Sequence, residues 1–162
     1  MNPAQVTVGQ DATNTNTTPR NRATGIVYVT RAFLLSALKW DFYASGTYDF
    51  QFVDGTSATP NVLYTLASGV SISGTASASG QENTITVAPE VLVLPGKHYL
   101  SAYTSTAVGW VRRGTNTVEI DGGAFIFDLF YVDGSAAGSL PSKLVGYYVD
   151  IVGLVNYQPN KV

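Results

Sequence analysis

From Ile26 onward apolar and polar side chains alternate with a period of two, in short runs cut by turn dipeptides. That period sends neighbouring side chains to opposite faces of a sheet, so each run reads as a strand with one buried face. Leu38, Trp40 and Phe42 alternate with Lys39, Asp41 and Tyr43, and Tyr48, Phe50 and Phe52 alternate with Asp49 and Gln51. Near the end Val145, Tyr147, Val149, Ile151, Val155 and Tyr157 share one side, with Gly153 in the same series, in a strand long enough to cross a whole sheet. The breaks fall at Ser45-Gly46, Asp54-Gly55, Ser79-Gly80, Pro95-Gly96, Asp121-Gly122 and Asp133-Gly134. Gly, Asn and Asp tolerate the positive φ of tight turns.

The pattern predicts strands over 26–33, 37–43, 47–53, 61–66, 69–73, 83–88, 97–104, 107–112, 124–131 and 145–157. That many short strands without a convincing helix predict an all-β fold, an antiparallel β-sandwich or a barrel. Two segments are ambiguous. Residues 31–39, RAFLLSALK, have an apolar spacing that also fits a short helix, but the flanking β-branched and aromatic runs favour a strand or a strand bend. Segment 68–82, SGVSISGTASASGQE, is small and polar, and is expected at the surface as a loop or an edge strand.

The first 24 residues contrast with all of this, having no aromatic and almost no apolar side chains. Such a segment buries too little apolar surface to offset its ordering entropy. The expected organisation is therefore an extended, mobile N-terminal arm, 1–24, joined to a sandwich domain, 25–162; an ordinary frayed terminus is the alternative reading. Val6 and Val8 alternate with Thr7, the one stretch of the arm suited to adding a strand to another chain's sheet edge. Arg20 and Arg22, just after Pro19, are the other candidate contacts of the arm.

Charged residues make up 12% of the chain and the net charge is -2. A nucleic-acid partner is not expected, because neutralising phosphates takes a basic stripe. With no cysteine there is neither a disulfide framework nor a thiolate metal site. The amino terminus has no basic region followed by an apolar stretch, and no apolar run approaches the ~20 residues of a membrane span, so neither secretion nor a membrane is expected.

No catalytic constellation emerges. His98, the single histidine, cannot be both a base and its orienting partner, and no Gly-x-Ser-x-Gly elbow accompanies it. Asp54, Asp121 and Asp133 each precede Gly and read as turn formers, while Asp128 and Asp150 interrupt apolar runs and are expected to face solvent, with hydrogen-bonded burial as the second reading. No Asp-x-Asp-x-Asp-Gly loop is present, and no metal or cofactor is assigned. In VGWVRRGTN, Trp110 stands beside Arg112 and Arg113. Three readings are open there: a core Trp with arginines at the rim, a protein interface, or a glycan site in which Trp stacks on a sugar and Arg donates to hydroxyls.

The succession YDFQFVDG, VLYTLASG, ENTITVAPEVLVLPGKHYLSAYTS and GYYVDIVGLVNY resembles jelly-roll modules of bacteriophage virion proteins and of some bacterial carbohydrate-binding or surface proteins, over roughly residues 26–157. The resemblance rests on strand alternation, Pro95-Gly96 and the Asp-Gly turns, and it carries no catalytic residues. It implies a jelly-roll-like sandwich used for attachment. With the arm, it points to a non-enzymatic decoration or cement protein of a virion, made in the host cytoplasm. Its implied partners are the major capsid protein or other virion subunits, and it implies a symmetric homo-oligomer, a trimer favoured. The alternative is a carbohydrate-binding attachment module of a head fibre or tail, with glycan as partner.

Overall fold

The computed structural model describes residues 12–29, 31–113, 118–120, 125–128 and 143–149. These form nine strands: β1 (Ala12–Val29), β2 (Phe33–Phe42), β3 (Gly46–Val53), β4 (Val62–Ile72), β5 (Gln81–Val93), β6 (Gly96–Arg113), β7 (Val118–Ile120), β8 (Phe125–Asp128) and β9 (Lys143–Tyr148). All pairings are antiparallel. A six-stranded sheet runs β4-β3-β6-β1-β8-β7, and a three-stranded sheet runs β5-β2-β9. The all-β, sandwich-like architecture is the one the alternation implies.

The two sheets face each other through the predicted apolar series. Leu38, Trp40 and Phe42 of β2 and Tyr48, Phe50 and Phe52 of β3 are buried, joined by Val27, Val29, Leu100, Ile85 and Val91. Aromatic rings dominate one end of the core. Trp40 lies 5.7 Å from Phe50, Phe42 lies 4.8 Å from Tyr48, and Trp110 stands edge-on to Tyr48 at 5.8 Å between centroids. Tilted and edge-to-face pairs of this kind add to the stabilisation that burial alone supplies.

RAFLLSALK is strand from Phe33 onward, and its helix-like spacing has a local cause. Leu35 pairs with Gly146 and Ala37 with Val145, so Ser36 is an extra residue in β2. A bulge shifts the alternation by one, taking the core face from Phe33 and Leu35 to Leu38, Trp40 and Phe42. The Ser36 hydroxyl donates to the Val145 carbonyl at 2.9 Å. Opposite, Pro89 sits on the edge strand β5, where the missing N–H removes no ladder bond.

Two expected strand breaks are bulges inside longer strands. Residues 61–66 and 69–73 form one strand, β4, which is irregular where Phe50 pairs with Ala67 and Tyr48 with Val70. There Asp49 accepts from the Ser68 hydroxyl at 2.9 Å and the Gly69 amide at 2.8 Å, with Gly69 at a φ of 65°. Residues 97–104 and 107–112 likewise form one strand, β6. Segment 68–82 divides into the end of β4, a turn, and the start of β5.

The final strand is described over 143–148, and its faces differ from the expected series. Leu144 and Gly146 turn to the core, and Tyr147 is 39% exposed. A Cβ at Gly146 would meet the Leu34 carbonyl and the Phe33 ring, so glycine lets β2 and β9 approach closely. Residues 150–157 of that strand lie outside the described residues.

Candidate functional site

The expected boundary at residue 24 moves. β1 begins at Ala12 and pairs with β6 along its length, so residues 12–24 belong to the large sheet. The polar sequence there conceals a half-buried alternation, in which Ala23, Val27 and Val29 face the core while Arg22 and Thr24 face the opposite side. Pairing with a strand some eighty residues away supplies what local composition lacks.

The β1–β6 ladder turns a corner. Ile26 to Arg22 pair regularly with Tyr99 to Tyr103, but Arg20 then pairs with Val108 and Asn16 with Trp110. Extra residues therefore accumulate first on β6, at Thr104–Ala107, and then on β1, at Thr17–Pro19. Bulges bend and twist a strand pair, so the register shifts mark a bend in the β1–β6 ribbon. Two hydrogen bonds pin the bend: the Trp110 indole N–H donates to the Arg20 carbonyl at 3.0 Å, and the Asn21 amide donates to the Thr104 carbonyl at 2.9 Å.

Trp110 is thus a core residue, 1% exposed, packed on Phe42 and Tyr48. This corrects its candidacy as an interface or glycan contact, since neither of its ring faces is open. Arg112 and Arg113 continue β6 opposite Asn14 and Ala12, with side chains outside the described residues. Val6 and Val8 also lie outside them, as do Asp121, Asp133 and Asp150. Arg20 is half-buried and its guanidinium donates to the Pro19 carbonyl at 3.1 Å.

Arg22 is not an exposed arm contact either. It is 6% exposed on the outer face of the large sheet, where register brings β1, β6 and β3 into rows: Arg22–Tyr103–Asp49, then Thr24–Ser101–Gln51, then Ile26–Tyr99–Val53. Its Nη1 donates to Gln51 Oε1 at 3.0 Å and to Ser101 Oγ at 2.7 Å, and its Cζ lies 4.9 Å from the Tyr103 ring centroid. Desolvation depresses the guanidinium pKa, partly offset by electrostatic interaction with Tyr103 and Asp49. One turn of the pattern further, Lys97 sits 5.1 Å from the Tyr99 ring centroid and 6.0 Å from that of Tyr28. This buried polar row escaped sequence reasoning because Arg22, Gln51 and Ser101 come from three distant strands. The one available signal was their placement on the polar side of alternating runs.

His98 and Asp54 line an open groove of about 200 Å³ with Phe52, Val53, Leu63, Lys97 and Tyr99. Both side chains are committed to structure. Asp54 accepts from the Asn61 amide N–H at 2.9 Å and the Asn61 side-chain NH₂ at 2.7 Å, closing the β3–β4 loop. His98 Nε2 lies 2.7 Å from the Leu94 carbonyl, so that nitrogen carries the proton, and the ring stands edge-on to Phe52. Burial lowers the His98 pKa, with the Leu94 bond opposing. Asp41 and Glu82 are directly paired across β2 and β5, and each has other partners. Among the described residues no three His, Cys, Asp or Glu side chains gather to hold a metal.

Comparison with known proteins finds no matching family model, no similar curated protein and no similar solved structure.

Proposed function

We propose that the chain is a non-enzymatic virion structural protein, a decoration or cement protein that binds and stabilises a capsid or other particle surface. The observation that carries this reading is the pinned corner between Arg20 and Trp110, which makes residues 12–20 a fixed stem leading to the polar segment 1–11. A polar segment carried on such a stem suits wrapping a neighbour. The engaged states of His98 and Asp54 support a structural role for the groove they line.

The partners are the major capsid protein or other virion subunits, and the chain acts as a symmetric homo-oligomer, a trimer favoured. Its place is the virion, after synthesis in the host cytoplasm. Electron microscopy of the particle that carries the chain tests this: sandwich density is expected on the outer surface at symmetry axes, and its absence from the shell contradicts the reading. The carbohydrate-binding alternative now has to rest on the half-buried Tyr28, Tyr99 and Tyr103 of the outer face rather than on Trp110.

A further inference from the structure

The guanidinium of Arg22 is held along one side only. Nη1 is saturated by Gln51 and Ser101, whereas Nε is buried without a hydrogen-bond partner. Among the described residues no hydrogen bond reaches Nη2 and no carboxylate forms an ion pair with Arg22. Asp49 stands in the same row, but its Oδ1 is taken by Ser68 and Gly69. A buried cation with an unmet donor is unfavourable, and the Nε–Nη2 edge is the side of a guanidinium that grips a carboxylate with two parallel bonds. The half-buried Tyr103 ring packs against the guanidinium, its centroid 4.9 Å from Cζ.

We infer that Arg22 is a carboxylate-binding site on the outer face of the large sheet, filled on attachment by an Asp or Glu side chain of the partner protein. Ser101 and Gln51 orient the fork, Tyr103 covers one of its faces, and the unpaired positive charge selects an anion. The partner's identity as a protein rests on the attachment reading, while the carboxylate site stands on geometry alone.

The test uses the isotopically labelled full chain and follows the Arg22 Nε–H resonance during titration with sodium acetate at constant ionic strength. A saturable shift is expected, half-complete at an acetate concentration on the order of 10 mM, as two charge-assisted bonds to a small ion imply, with none in sodium chloride. In Arg22→Lys, which keeps the charge but loses the fork, the Gln51 side-chain amide is expected to show no saturable response. A wild-type Nε–H that ignores acetate, or that responds to inorganic phosphate at lower concentration than to acetate, overturns the site. Attachment to the particle is expected to weaken at least tenfold in Arg22→Lys and to weaken in acetate more than in equal chloride. Attachment indifferent to acetate overturns the partner's carboxylate as the occupant. A chain that binds acetate at Arg22 yet never binds particles removes the attachment reading and leaves the site itself standing.

Discussion

The indole N–H of Trp110 donates to the carbonyl of Arg20 across 3.0 Å, joining two residues ninety positions apart at the register shifts of the β1–β6 ribbon. That bond ties the indole to the Arg20 backbone between the two register shifts, while the ring fills the space beside Phe42 and Tyr48. Trp110 therefore links the packing of the sandwich to the position of the stem.

Trp110→Phe keeps an aromatic ring and removes the donor. A loss of about 1–2 kcal/mol is expected in denaturant unfolding, and about 3–5 kcal/mol for Trp110→Ala, which also leaves a cavity. Trp110→Phe as stable as wild type would show that the corner does not depend on the indole bond.

Gly146→Ala forces a methyl group against the Leu34 carbonyl and the Phe33 ring. Destabilisation of about 1–3 kcal/mol is expected, since the obstacle is backbone that cannot swing aside. Gly55→Ala has open space around the added atom and is expected to change stability by less than about 0.5 kcal/mol in the same measurement.

His98 is held neutral by burial, its pKa lying below the ordinary 6.5. The unfolded chain therefore binds the extra proton first, and stability falls as pH drops from about 6.5 towards the folded-state value. Tyr48 acts at the other end of the scale. Burial raises its pKa from 10.0 to about 12, so its contribution is present below pH 10 and is lost as pH rises through about 12. Unfolding measured against pH is expected to show a shallower acid slope in His98→Gln and a shallower alkaline slope in Tyr48→Phe than in wild type.

Sequence alone reaches the sandwich because β2 buries one face and because Tyr48, Phe50 and Phe52 of β3, all core residues, alternate with polar Asp49 and Gln51. It stops wherever a bulge interrupts the period. The extra Ser36 makes a strand imitate a helix, the bulge at Ser68 and Gly69 splits β4 into two expected strands, and the extra residues at Thr104–Ala107 do the same to β6. The stem was hidden for a different reason. Residues 12–24 have no strand-like composition, and their pairing with β6 is a tertiary contact that overrides local preference. The burial of Arg22 depends on the same pairing, whereas the core position of Trp110 is one of the readings its sequence setting offers.

The stem also redefines the arm. A truncation through residue 22 would remove much of β1, whereas deletion of residues 1–11 leaves every described strand whole. The most direct test of attachment compares the full chain with that deletion for co-sedimentation with the particle, after denaturant unfolding shows equal stability of the two. The account predicts that the shortened chain stays folded and soluble but no longer binds or stabilises particles. Binding by the shortened chain as tight as by the full chain would contradict it.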